Sequence, residues 1–514
     1  MKLISAVFFV LALALALLFG AQTASWSWGP GLLGLGVASL FGVFGSRQRC
    51  HLPLAVALLA AAGWIILRCY QSEVLDGARA DALLVIALLA SCWLVAGYGG
   101  NKKALTLLYD GIALTVVANA VMAFLQWRDP SFCWPYEARP REQLSGFFGH
   151  YNYFSNYLLG TGGILLGKAV FGSDVKGRRL GYLIVVVGAF ALIPLSGSRG
   201  GVLALGIGLL VFATAVALIL YRRKNRWFPL AAAIVPFGLV AGAGVAWIVL
   251  SGIQSDRQQE QGIANLADGG SRLEWIGLAL ATSRDHLWQG GGSRSYSWER
   301  NGKWDPDEFG WAHENEPFVH NELLQAITDY GVIGAGLVMV VLGLAIWRCL
   351  AGLVLDSPLE KSDTLVESDS DAVHAGVLTA GAAMVTQANL SFVFHFIPLV
   401  MLFGMLLGLI LPRRAKGSAS GFMRYPVGIG LGLILLWAGS KATYALERLW
   451  PVVYVLDDRE KMSTEEAFAR FDAAGDAWPG FEIAEESGKL FLILAAREGI
   501  TEEASARLRH QSIL

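Results

Sequence analysis

Long apolar runs recur along the whole chain, and they constrain its fold more than any other feature. They begin near the N-terminus and continue past residue 440. Lipid offers no partner for a bare backbone amide or carbonyl, so apolar runs of about 18 residues are typical of membrane-spanning helices. The composition agrees, because 55% of the 514 residues are apolar and only 16% are charged, against about 25% in soluble domains. The sequence therefore predicts an all-α polytopic membrane protein.

The same composition excludes several classes of protein. A disordered chain and a basic nucleic-acid binder are excluded, because the chain is mostly apolar and its net charge is −1. The 5 cysteines show no CxxC or metal-ligand spacing, which also argues against a disulfide scaffold. We expect no nucleic-acid partner and no metal or other cofactor.

About 12–13 transmembrane helices are predicted, with boundaries good to about 2–4 residues. The least clearly separated predicted spans are the close pair at 374–391 and 393–411. The predicted spans cover residues 3–20, 30–45, 52–69, 82–99, 104–126, 152–171, 180–196, 200–220, 228–250, 329–349, 374–391, 393–411 and 425–444.

Lysine and arginine follow the even-numbered spans, and this pattern predicts the orientation. The residues concerned are Arg47, Arg49, Lys102, Lys103, Lys176, Arg178, Arg179, Arg222, Arg223, Lys224, Arg226, Arg413, Arg414, Lys416 and Arg424. Short loops rich in these residues stay in the cytoplasm. Counting thirteen spans from a cytoplasmic N-terminus places every one of these loops in the cytoplasm. The N-terminus is therefore predicted to be cytoplasmic and the C-terminus to lie outside.

This count divides the chain into a membrane domain, residues 1–444, and an outer helical tail, residues 445–514. The membrane domain includes a large outer loop at 251–328. In the tail, Ser463 and Glu466 form a capping box that predicts a helix ending at Gly475, and a second helix is predicted over 481–497. The tail is either a stabilising cap or a platform for an acceptor or partner.

The first of four polar segments on the outer face runs over residues 149–156 and enters the sixth span. Its His150 and Asn152, among aromatic neighbours, are typical of sugar contacts. An interfacial aromatic belt with a helix cap is the simpler reading of this segment alone.

The second polar segment is the turn at 196–201, in which Arg199 is flanked by Ser198 and Gly200. A guanidinium offers a planar set of donors to phosphate, and the N-terminus of the next helix directs free N–H groups to the same place. These features indicate a diphosphate site. A tight turn with a snorkelling arginine is the alternative.

The last two segments belong to the outer loop. Arg272 lies near the start of a predicted helix, where a cation opposes the helix dipole, so it is either a ligand-binding residue or the ion-pair partner of Glu274. His320 and Asn321 lie where the loop returns to the membrane, with His313 upstream. A neutral imidazole there fits a general base. No HExxH or i, i+4 histidine spacing favours a metal.

Taken in this order, the four segments resemble the O-antigen ligase / O-antigen polymerase superfamily of bacterial envelope glycosyltransferases. The resemblance covers about 140–411. Arg199 matches the arginine of the family's SRGG turn, Arg272 the arginine that begins the loop helix, and His320 the histidine of its HN-x-x-L-Q segment. The match at His150 and Asn152 is looser.

The resemblance implies a GT-C-like enzyme of the bacterial inner membrane with a periplasmic active site. The donor would be an undecaprenyl-diphosphate-linked glycan, held by Arg199, Arg272, Ser198 and Gly200. His320 would aid the acceptor, with further contacts from the other polar side chains of the four segments. The O-antigen ligase, whose acceptor is lipid A core, is the closest comparison. A thirteenth span and an outer tail depart from that ligase and leave polymerase and protein O-oligosaccharyltransferase roles open.

The residues alone, without the resemblance, also support a consistent mechanism of glycan transfer. Two arginines would stabilise the charge that grows on the departing diphosphate, and a base would activate the incoming hydroxyl. Metal-independent displacement with inversion at the anomeric carbon is the expected course. A transporter of anions or lipid-linked glycan is the rival class, although no repeated halves with broken helices are seen. An assembly protein is the third reading.

Overall fold

The structure, a computed structural model, describes the chain in ten stretches. They are residues 1–44, 49–129, 132, 143–228, 271–303, 318–354, 364–413, 424–453, 462–479 and 483. Nearly all of the predicted span 228–250, together with His313 and most of the predicted tail helix 481–497, falls outside these residues.

Helices dominate the described residues. They are α1 (Lys2–Phe19), α2 (Gly29–Gly42), α3 (Leu52–Tyr70), α4 (Leu75–Tyr98), α5 (Lys102–Arg128), α6 (Tyr151–Phe171), α7 (Lys176–Leu195), α8 (Arg199–Arg222), α9 (Ser271–Ser283), α10 (Glu322–Val354), α11 (Thr364–Ala388), α12 (Ile397–Ile410), α13 (Arg424–Val453) and α14 (Thr464–Ala477). Within the described part, 8 helices are long and apolar enough to cross a membrane. The protein is an all-α, multi-pass membrane protein, as the apolar runs predict. Each predicted span that lies within the described residues coincides with one of the helices α1–α8 and α10–α13.

Small residues allow the helices to approach closely, which is the usual basis of packing in lipid. The central helix α6 meets α11 where a Cβ on Gly163 would come 2.7 Å from the backbone of Ala380. In a second seam, a Cβ on Gly432 of α13 would lie 3.2 Å from the Gly36 carbonyl oxygen of α2. Glycines therefore mark two packing seams among the described helices.

One end of the bundle carries the basic loops. Strand β1 (Arg49–Cys50) pairs with strand β2 (Pro412–Arg413), so two of the loops with clustered arginine lie side by side. At the same end Arg222 pairs with the buried Asp371 at 2.8 Å. The structure therefore groups loops that the sequence assigns to one face.

The outer loop meets a break in α10. Helical geometry fails at Gly331, where φ is 70° and ψ is 179°, and Gly290 of the loop also has a positive φ of 74°. A Cβ on either glycine would clash with the backbone of the other segment. Backbone hydrogen bonds join the two, including one from the Gly292 amide to the Asp329 carbonyl at 3.0 Å. The Gly-rich end of the loop is therefore fixed to the membrane domain.

The tail helix α14 begins as the capping box predicts, since the Glu466 amide donates to Ser463 Oγ at 3.1 Å. Its predicted end at Gly475 is wrong, because the helix continues to Ala477. The following Trp478 is buried, and its Nε1 donates to Ser25 Oγ at 3.1 Å. This tertiary contact extends the helix past a glycine that sequence alone reads as a stop.

Candidate functional site

The turn between α7 and α8 places Arg199 at the first position of a helix. Ser198 caps that helix, since its Oγ accepts a hydrogen bond from the Gly201 amide at 3.1 Å, while the Arg199 side chain is exposed. A Cβ on Gly200 would lie 2.8 Å from Oε1 of Gln387 on α11. The glycine leaves room for side chains of α11 against the start of α8. An arginine at a capped N-terminus is the arrangement that suits an anion.

The entry to α6 is bonded to this turn. His150 caps α6 by accepting the Asn152 amide on its Nδ1 at 3.1 Å. Asn152 Oδ1 in turn accepts a hydrogen bond from Ser198 Oγ at 2.8 Å. The first and second polar segments are therefore one hydrogen-bonded unit.

Helix α9 begins at Ser271, so Arg272 lies in its first turn, as the sequence predicts. The Arg272 side chain is outside the described residues. One turn later, the Trp275 ring is stacked on His320, with centroids 4.2 Å apart and planes 12° apart. The helix that carries Arg272 is thereby fixed against the candidate base.

His320 is held in an unusual backbone conformation, with φ at 57°. Left-handed geometry is uncommon for a residue with a side chain, and it persists where the neighbours enforce it. On one side, the Val319 amide donates to Gln325 Oε1 at 2.8 Å. On the other, Asn321 caps α10 by accepting the Leu324 amide at 3.0 Å. The backbone on both sides of the imidazole is therefore clamped.

The segment after α11, residues 389–396, connects the polar segments. Asn321 Nδ2 donates to the Asn389 carbonyl oxygen at 3.0 Å. The Phe392 ring meets His320 edge-on at 4.6 Å and lies 5.2 Å from Tyr153 of α6. Tyr153 is itself 5.3 Å from His150. A row of rings thus joins the first polar segment to the last.

Sequence reasoning missed this connecting segment, because it interprets 374–391 and 393–411 as two adjacent apolar spans. The available signal was the polar residues that interrupt the apolar run, Asn389, Ser391 and His395. Polar side chains in such runs mark functional positions in membrane proteins.

A buried charged cluster near the same end was also missed. Asp81 of α4 pairs with Arg294 of the outer loop at 3.1 Å and accepts a hydrogen bond from Tyr330 at 2.8 Å. Glu322, two residues after His320, accepts a hydrogen bond from the Phe394 amide at 2.6 Å. Across the described ranges, no three His, Cys, Asp or Glu side chains converge as a candidate metal site.

Comparison with known protein families finds one match, which covers part of the chain. Residues 184–339 match the family model described as O-antigen ligase. In this region the chain is similar to the O-antigen ligase family. A search of curated proteins found no match.

The O-antigen ligase match begins within α7 and ends within α10, so it includes Arg199, Arg272 and His320. The connecting segment 389–396 and Asp81 lie outside it. The structure therefore adds side chains from other parts of the chain to the matched region.

Proposed function

We propose that this protein transfers a glycan from an undecaprenyl-diphosphate-linked donor to an acceptor hydroxyl. The reaction takes place at the periplasmic face of the bacterial inner membrane, and lipid A core is the acceptor. The observation that carries the proposal is the convergence of the Arg199 turn, the helix of Arg272 and His320 around the segment 389–396. Two arginines and an imidazole are the groups that a transfer from a lipid diphosphate requires.

The donor diphosphate is held at the start of α8. Arg199 and Arg272 neutralise its phosphates, while the capped helix N-terminus adds N–H groups and a partial positive charge. Ser198 and Gly200 shape the turn for this contact. Because negative charge grows on the diphosphate as it leaves, these groups stabilise the transition state more than the bound donor.

His320 acts as the general base. The acceptor oxygen attacks the anomeric carbon while the bond from that carbon to the diphosphate oxygen breaks. The hydroxyl proton passes to the imidazole, and the bonding electron pair leaves with the diphosphate. One displacement of this kind inverts the anomeric configuration, and the arginines supply the charge that a metal supplies in other transferases.

The sugars next to the reacting bond lie along the ring-lined edge of the site. His150 presents a polar surface there, supported from behind by the buried Tyr153 ring, with Asn152 and Asn321 at its two ends. His313 is a further expected contact, although it lies outside the described residues. Membrane lipids surround the polyprenyl chain of the donor.

The experiment is transfer in liposomes that contain the purified protein and an undecaprenyl-diphosphate-linked O-antigen. Lipid A core, a free glycan and a peptide are offered as separate acceptors, and mass spectrometry identifies the product. Glycosylated lipid A core with inverted anomeric configuration, read by NMR, supports the proposal. Extended glycan or glycopeptide would instead assign a polymerase or protein-glycosylating role.

A membrane transporter remains the rival class to test. It predicts movement of substrate across the bilayer without any covalent product, and dependence on an ion gradient. Transfer in detergent micelles, where no gradient exists, separates the two. When Arg199→Ala is assayed for loss of transfer, the matched control is Arg178→Ala. That change removes a half-exposed arginine from the opposite end of α7.

A further inference from the structure

His395 lies between two carboxylates in the connecting segment 389–396. Its Nδ1 is 3.7 Å from Asp81 Oδ1, and its Nε2 is 3.8 Å from Glu322 Oε2. Only 6% of the residue is exposed. The two carboxylates belong to different helices, α4 and α10, so the imidazole lies where three parts of the chain meet.

The charges of this cluster balance when the imidazole is protonated. Asp81 already faces Arg294, so a positive His395 compensates the second carboxylate, that of Glu322. A buried charge without a partner costs several kcal/mol. Although burial lowers the pKa of an imidazole, the nearby carboxylates of Glu322 and Asp81 prevail and raise the pKa of His395 above its ordinary 6.5.

Two further polar side chains lie beside Asp81. Tyr330 reaches Asp81 as a neutral hydroxyl donor. Asp329, also buried, takes hydrogen bonds from Gln325 Nε2 at 2.7 Å and from the Tyr296 amide at 3.3 Å. It lies beside Asp81, on the side of the cluster that faces the outer loop.

A stack of rings connects His395 with His320. The His395 ring lies 4.2 Å from Phe318, and Phe318 is stacked on Phe392 at 4.6 Å. Phe392 then meets the edge of His320 at 4.6 Å. Moving His395 would therefore shift the rings that support the candidate base.

We propose that His395, as an imidazolium between Asp81 and Glu322, is a positioning residue that holds Phe318, Phe392 and hence His320 in the geometry needed for transfer. The role rests on the proposed function. His395 acts through its neighbours and does not touch the reacting atoms.

The closest test compares wild type with His395→Gln over a range of pH, using kcat, KM and thermal unfolding. Displacement of the base should lower kcat by on the order of 10–100-fold at neutral pH, with a smaller change in the KM for the donor. Wild-type kcat should also fall on the alkaline side as His395 loses its proton, and this fall should vanish in the variant. The inference would be overturned if His395→Gln had the wild-type kcat and the same fall of kcat at alkaline pH.

Thermal unfolding supplies a readout that needs no activity. A group with a raised pKa in the folded protein stabilises it fully below the unfolded value of 6.5 and loses that effect as pH rises through the folded value. The Tm of wild type minus that of His395→Gln should therefore shrink with rising pH. A difference that is constant with pH contradicts a charged His395, even if no acceptor is ever found.

A second variant guards against misfolding. Glu322→Gln keeps an acceptor for the Phe394 amide and removes the charge that His395 balances. The double variant His395→Gln/Glu322→Gln should therefore recover most of the Tm lost in His395→Gln. Failure to recover contradicts the charge argument. His286→Gln, a change at a half-exposed imidazole of the outer loop, is the matched control and should leave kcat and Tm unaltered.

These outcomes separate the two proposals. If wild type transfers glycan and His395→Gln has the same rate and pH profile, the proposed function stands. The positioning role of His395 is then wrong. If wild type is inactive with every acceptor, the proposed function is wrong. The pH dependence of thermal unfolding then still tests whether His395 is charged.

Discussion

The indole of Trp275 lies parallel to the imidazole of His320, with ring centroids 4.2 Å apart. The contact joins α9, which carries Arg272, to the start of α10. A diphosphate-binding arginine and a base must act on the same donor bond, and this stack fixes the distance between the elements that bear them.

Removing the stack should therefore impair transfer. Trp275→Ala frees one face of His320, and a misplaced base is expected to lower kcat by on the order of 10²-fold. Trp275→Phe keeps a ring and should retain most of the rate. The initial rate of transfer measures both, and Trp288→Ala, at a tryptophan that is 69% exposed, is the control. Equal rates in Trp275→Ala and wild type would remove the stack from the mechanism.

Gly200 offers a test of the close approach between α8 and α11. Gly200→Ala places a methyl group 2.8 Å from Gln387 Oε1, so either the Gln387 side chain or the arginine turn must shift. We expect lower thermal stability, by about 1–3 kcal/mol of overpacking, and reduced transfer. Gly206→Ala in the same helix has nothing within 4 Å of the added Cβ and should match wild type. Similar behaviour of the two variants would contradict the described packing.

His320 combines a chemical role with a strained backbone, and two variants separate them. His320→Ala should reduce kcat by on the order of 10²–10⁴-fold, the usual contribution of a general base. His320→Asn tolerates the positive φ of 57° and should keep the wild-type Tm while losing a similar share of kcat. A change in kcat below about threefold in His320→Asn would assign the residue a positioning role.

Chelators should leave transfer unaltered. In this mechanism Arg199 and Arg272 neutralise the leaving diphosphate, so no divalent ion enters the rate. The measurement is the initial rate with and without EDTA after dialysis. Loss of activity that Mg²⁺ or Mn²⁺ restores would require a metal in the mechanism.

Local patterns predicted the spans, the arginine turn and the helix that starts beside Arg272, because apolar periodicity and capping residues act over a few positions. The convergence of the polar segments was not visible, since Asn321 and Asn389 meet only through the packing of α10 against α11. His395 was read as part of an apolar span for the same reason. Its partner Asp81 lies several hundred residues earlier in the chain, and no local signal connects the two.

The most direct measurement of the central claim is single-turnover glycan transfer by purified protein in liposomes, comparing wild type with Arg199→Ala and Arg178→Ala. The account predicts that wild type and Arg178→Ala release the lipid diphosphate and form product at similar rates. Arg199→Ala should bind donor yet transfer slower by on the order of 10²–10³-fold, the usual loss when one charge-stabilising donor is removed. Wild-type rates in Arg199→Ala would contradict a diphosphate site at the start of α8.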